Sequence, residues 1–134
     1  MAFPLGALYH GTKFAVEGIS ESLKYEVEEF GVKVKIIEPG AIITDFTGRS
    51  LDFSNNETLT EYQAFIGKIM SAMQSLFQTA SPAAVIANVI YQAATDDSTQ
   101  LRYTAGEDAK FMIANHKQQN DESFQAGIKA QFGI

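Results

Sequence analysis

The sequence predicts an α/β fold that is rich in helix and short of strand. Three observations carry this reading. Residues from about Leu8 to Phe30 follow a helical period, a β-branched run then ends at Pro39-Gly40, and further helical stretches alternate with a second short strand near Leu101 to Thr104. With 134 residues, 46% of them hydrophobic and 19% charged, the chain can build a core. One domain spanning residues 1–134 is expected.

In the first segment, Leu8, Ala15, Ile19, Leu23, Val27 and Phe30 recur at steps of three, four and seven, with Glu17, Glu21 and Lys24 between them. Phe14 and Val16 widen the apolar surface, which predicts burial on more than one side. Gly31 supplies a stop because it accepts the left-handed conformation. The run Val32-Lys33-Val34-Lys35-Ile36-Ile37-Glu38 alternates at first and reads as a strand, which Pro39-Gly40 terminates. Residues 41–56 read as loop. From Glu57 to Phe77 a second helix places Tyr62, Phe65, Ile66, Ile69, Met70, Met73, Leu76 and Phe77 at three- and four-residue steps. Ser81-Pro82 predicts a helix start, with the Ser hydroxyl as cap. That helix carries Val85, Val89, Ile90 and Ala93 and ends near Thr95. Ala105-Gly106 closes the second strand, and two short helices follow, near Glu107–Lys117 and Asp121–Gln131. A strand, a helical crossover and another strand predict a parallel pair. Two parallel strands alone make a narrow sheet, because parallel sheets ordinarily lie buried among neighbours.

Composition excludes several classes of function. The chain has no Cys, so disulfides, thiolate metal sites and a Cys nucleophile are out. Ten basic against sixteen acidic residues give a net charge of −6, a sign that repels nucleic-acid backbones. No apolar run reaches the ~20 residues of a membrane span, and residues 1–6 lack the pattern of a signal peptide. A cytoplasmic setting, with no nucleic-acid or membrane partner, is expected. His10 and His116 are the only histidines and have no carboxylates at ligand spacing, so no metal site is expected. Gly-x-Ser-x-Gly does not occur.

The informative stretch is Tyr9-His10-Gly11-Thr12-Lys13. Tyr and Lys four apart on a helix share one face. A phenol ordinarily loses its proton near pH 10, and a neighbouring ammonium favours the phenolate. Such a pair can move a proton opposite a hydride travelling on a cofactor. Around it stand Pro4, the run Lys13-Phe14-Ala15-Val16-Glu17-Gly18, Ser22-Leu23, Glu26-Val27, and Pro39-Gly40-Ala41-Ile42-Ile43-Thr44. Further on come the Ser81-Pro82 helix and Arg102-Tyr103-Thr104-Ala105-Gly106-Glu107-Asp108-Ala109. At these spacings the chain resembles the short-chain dehydrogenase/reductase family in its NAD(P)-dependent branch.

That resemblance implies the C-terminal portion of a Rossmann-like doubly wound fold. It implies Tyr9 as general acid/base and Lys13 as the residue holding the nicotinamide ribose hydroxyls. Pro39, Gly40, Ile42 and Thr44 would face the nicotinamide end of NAD or NADP. The segment from Glu57 to Phe77 would be a substrate lid lining an apolar pocket, or else a core or interface helix. The family's dinucleotide fingerprint is not found: no two of the ten glycines are separated by a single residue. Eight residues precede Tyr9, too few for the family's catalytic Ser and structural Asn. The nucleotide-binding half is therefore expected to be missing, and these residues alone are expected not to bind NAD(P) or to be active. A homo-oligomer formed through the Tyr9–Phe30 helix is expected, since an exposed parallel edge and a long apolar helix need cover. The alternatives are a non-catalytic self-associating helical module or one half of a two-chain enzyme.

Overall fold

The computed structural model describes the backbone of residues 1–134 and every side chain except that of Thr47. Helix α1 spans Ala7–Val27, and a single 3-10 turn at Glu28–Phe30 winds the end of the predicted helix more tightly. Gly31 at φ 72° then reverses the chain. Its N–H donates to the Glu28 carbonyl at 3.0 Å and the Val32 N–H donates to Val27 at 3.1 Å, which satisfies carbonyls at the helix end.

Strand β1 (Ile36–Pro39) lies parallel to β4 (Arg102–Ala105), with Ile36 opposite Arg102 and Pro39 opposite Ala105. The strand begins later than its sequence predicts. Lys33 and Lys35 are held by their side chains instead, each ammonium 2.7 Å from a carbonyl of the 96–100 turn, Asp97 and Ser98 respectively. A second parallel pair joins β2 (Ile42–Ile43) to β3 (Ser81–Pro82), Ile42 opposite Ser81. The stretch read as loop thus contains a short strand and, at Phe46–Ser50, one π-type turn closed by an Arg49–Asp45 ion pair. Ser81 does not cap the next helix. Its N–H donates to the Ala41 carbonyl at 2.8 Å, which commits it to the ladder, and α3 begins at Ala83 with Pro82 at the cap position.

Helix α2 covers Thr60–Phe77, α3 Ala83–Thr95, α4 Glu107–Gln118 and α5 Asp121–Phe132. The Asn120 side chain caps α5 by accepting the Ser123 N–H at 2.8 Å. Apolar burial falls in two places. Ile36, Ile86, Ala93, Tyr103, Ala105 and Ala109 lie where α3 and α4 meet the β1–β4 ladder; Ile69 and Phe132 lie where α2 meets α5. Of the apolar residues picked out by the sequence on α3, Ala93 is buried and Val89 half-buried, whereas Val85 and Ile90 face outward and Ile86 is buried instead.

The larger departure concerns α1. Its periodic apolar residues predict burial, yet no α1 side chain is buried, and Leu8 is 89% and Ile19 65% exposed. Eight apolar residues are buried among those described, in a chain whose sequence is 46% hydrophobic, so much of the apolar content faces outward. No helix among the described residues is long and apolar enough to cross a membrane.

Candidate active site

Tyr9 and Lys13 stand one turn apart near the start of α1, and the Lys13 ammonium lies 5.4 Å from the Tyr9 ring centroid. Both side chains are open to solvent. The Tyr9 ring meets the His10 ring edge-on, centroids 5.5 Å apart, and the Phe46 ring at 6.1 Å. His10 is structural: its Nε2 accepts the Phe3 N–H at 3.1 Å and so fixes the chain entering α1. A Cβ on Gly6 would stand 2.8 Å from the imidazole, so a larger residue there would force the ring to shift. Burial, and then the charge of the amino terminus, pushes the His10 pKa down, which keeps Nε2 available as an acceptor.

The second part of the site is the turn after β1. Gly40 N–H donates to the Ala105 carbonyl at 2.9 Å, Ala41 N–H donates to Asp108 Oδ2 at 2.7 Å, and Ala41 O accepts from Ser81. Pro39 and Gly40 are thus engaged by β4 and α4 rather than by α1. Ile42 is half-buried in β2, and Thr44 is exposed, its hydroxyl oxygen accepting the Phe46 N–H at 3.4 Å. The structure therefore brings Tyr9 and Lys13 together, and brings Phe46, two residues beyond Thr44, against the Tyr9 ring.

Ion pairs tie α1 to the sheet. Arg102 on β4 places Nη2 3.0 Å from Glu17 and 2.6 Å from Glu21, and its Nε 3.4 Å from Glu38 on β1. The contacts with Glu21, and then Glu17, push the Arg102 pKa up, so the guanidinium stays charged. Three residues here have contacts that the sequence alone does not reveal: Phe46, Arg102 and Asp108. The available signal for Arg102 was the i, i+4 spacing of Glu17 and Glu21, which presents two carboxylates on one helical face.

An exposed tyrosine and lysine on one face can move a proton and bind vicinal hydroxyls. A phosphate cradle is another matter. The first turn of α4, which follows Gly106, carries Glu107 and Asp108 and disfavours anions. A cleft of about 460 Å³ lined by Val85, Val89, Tyr103, Thr104 and Lys110 includes none of the predicted site residues. On α2, Ile69 is wholly buried, which gives that helix a core role on one side.

Residues 1–55, which carry Tyr9, Lys13 and the Pro39–Thr44 turn, match the family described as short chain dehydrogenase. The chain belongs to the short-chain dehydrogenase/reductase family of oxidoreductases and corresponds to the C-terminal part of its members. It is 42% identical over its whole length to an uncharacterized oxidoreductase of Schizosaccharomyces pombe, of which it spans 56%. It is 31% identical to 17-beta-hydroxysteroid dehydrogenase type 6 of Mus musculus, over 81% of this chain and 38% of that protein. With retinol dehydrogenase 7 of Rattus norvegicus it shares 36% identity, over 80% of this chain and 37% of that one. The chain thus spans little more than half the length of the first of these relatives and less of the others. The helix-rich α/β structure with few parallel strands agrees with a partial Rossmann-like fold of this family.

Proposed function

We propose that this chain carries the proton-transfer corner of an NAD(P)-dependent oxidoreductase acting on a carbonyl or alcohol. The Lys13 ammonium set against the Tyr9 ring, on an open face beside Phe46, is the observation that carries the reading. In it, Tyr9 gives its hydroxyl proton to the carbonyl oxygen in reduction and accepts it back in oxidation. Lys13 holds the ribose hydroxyls, while Pro39, Gly40, Ile42 and the Thr44 hydroxyl face the nicotinamide. NAD or NADP, when bound, supplies or takes up the hydride. The names of the hydroxysteroid and retinol dehydrogenases suggest an apolar alcohol as substrate class. We take residues 1–134 as one partial domain working in the cytoplasm, with no nucleic-acid, membrane or metal partner.

The 134 residues by themselves are expected to bind no NAD(P) at micromolar concentration and to be inactive, because they carry no Gly-x-Gly phosphate turn. Calorimetric titration checks this, and micromolar binding would overturn it. Mixing with a polypeptide that supplies a nucleotide-binding half should yield dehydrogenase activity. Tyr9→Phe should then lower that activity by about 10²- to 10⁴-fold; full activity in Tyr9→Phe would remove Tyr9 from the chemistry.

A second reading is favoured by one observation, the unburied apolar residues of α1: Leu8, Phe14, Val16, Ile19 and Leu23 are all exposed. In this reading α1 pairs with a second copy and the chain is a self-associating helical module, active or not. Sedimentation at micromolar concentration should show a dimer or larger assembly, and a clean monomer would count against it.

A further inference from the structure

We propose that Asp108 is a positioning residue that sets the Pro39–Gly40–Ala41 turn against α4 and thereby aims Ile42 and Thr44. The value of that aim to catalysis rests on the nicotinamide-facing role proposed above for this turn.

Three bonds pin the turn to three different elements. Gly40 N–H is bonded to Ala105 O on β4, Ala41 O to the Ser81 N–H on β3, and Ala41 N–H to Asp108 Oδ2 at the start of α4. The first two are backbone to backbone and survive any substitution that keeps the fold. Asp108 supplies the one pin made by a side chain.

The surroundings are built to fit that carboxylate. A Cβ added at Gly40 would run into the Asp108 carboxylate, and one at Gly106 would stand 2.6 Å from Oδ1 and 3.0 Å from Ser81 Oγ. Gly106 also sits at φ 99°, a conformation that disfavours any other residue. Both glycines therefore leave room for one side chain. Oδ1 is buried and has no hydrogen-bond partner among the described residues. Burying an unpaired carboxylate oxygen is unfavourable. The adjacent N-terminal turn of α4 offsets part of that cost through its dipole. An apolar residue here would escape the cost but would leave the Ala41 N–H without its acceptor.

The test is amide hydrogen exchange by NMR on the 134-residue chain, with Asp108→Ala and Asp108→Asn. In Asp108→Ala the Ala41 amide should exchange about 10- to 100-fold faster than in the parent, in excess of any change at Ile36 and Tyr103 in the β1–β4 ladder. In Asp108→Asn the side-chain oxygen still accepts, so most of the protection should return. Equal acceleration of Ala41 and the ladder, no acceleration at all, or failure of both variants to fold would overturn the proposal. If Asp108→Ala alone fails to fold, the decision passes to Asp108→Asn, where protection retained supports and protection lost overturns. No cofactor enters the measurement, so its outcome stands apart from the outcome of the dehydrogenase assay.

Discussion

Replacing Arg102 by alanine should loosen α1 while leaving the β1–β4 ladder in place. The guanidinium reaches Glu17 and Glu21 on α1 and Glu38 on β1, and the side chain is 37% exposed. Solvent therefore screens each pair into the range of roughly 0.2–1 kcal/mol, and the three together contribute about 1–2 kcal/mol. Because no α1 side chain is buried, that loss falls on the attachment of the helix rather than on the core. Amide hydrogen exchange across α1 should become about 5- to 30-fold faster, beyond any change at Ile36 and Tyr103. The difference should shrink in about 1 M salt, where the screening length is about 3 Å. Arg102→Lys should fall between, since an ammonium lacks the planar fork that spans two helix carboxylates and one strand carboxylate. If α1 and ladder amides accelerate alike, or if salt leaves the difference intact, an ionic tether is not what holds this helix.

The His10 imidazole should titrate below 6.5 by NMR; its neutral form stabilises the fold fully above that unfolded value, and the contribution is lost as pH falls through the folded one. Tyr103→Phe should cost about 1 kcal/mol in urea unfolding, since the Tyr103 hydroxyl donates to Asp96 at 2.5 Å and lies 2.9 Å from the Lys35 ammonium and 2.8 Å from Ser98 Oγ. The same hydroxyl, followed by Ser98 and Lys35, holds the Asp96 carboxyl well below the usual carboxylate range; that stabilisation is present above 3.8 and lost only in strong acid. Ile69→Ala, at a wholly buried position between α2 and α5, should destabilise by about 2–5 kcal/mol, read from the urea midpoint.

The helices were legible because their apolar residues repeat every three or four positions, a signal contained within each segment. The faces they bury were less so. On α3, Ala83-Ala84-Val85-Ile86-Ala87 is apolar all round, so periodicity could not select Ile86 over Val85. On α1 the pattern records an apolar stripe but not what covers it, and the structure leaves that stripe open. A cap at Ser81 is a local motif that sequence can suggest, whereas its bond to Ala41 joins residues brought together by the crossover. That Tyr9 and Lys13 share a face follows from their four-residue spacing on a helix, and their ring and ammonium lie 5.4 Å apart. The residues around the pair do not follow from spacing: Phe46 reaches Tyr9 through a π-type turn, and Arg102 meets Glu21 across 81 positions of sequence. Asp108 lies in the stretch from Arg102 to Ala109, but only the fold shows its oxygen at the Ala41 amide.

Ile42 lies beside Ser81, so residues 44–80 leave the framework and rejoin it at adjacent points. They form a side excursion with a stapled base, anchored again where α2 touches α5. Its irregular stretch, residues 51–59, can change in length at little entropic penalty, because closure of a loop depends only weakly on its size, whereas Phe46 against Tyr9 and the buried Ile69 tie down the rest. Diversification of whatever this segment contacts can proceed there without altering the spacing between Tyr9, Lys13 and the bend that follows β1.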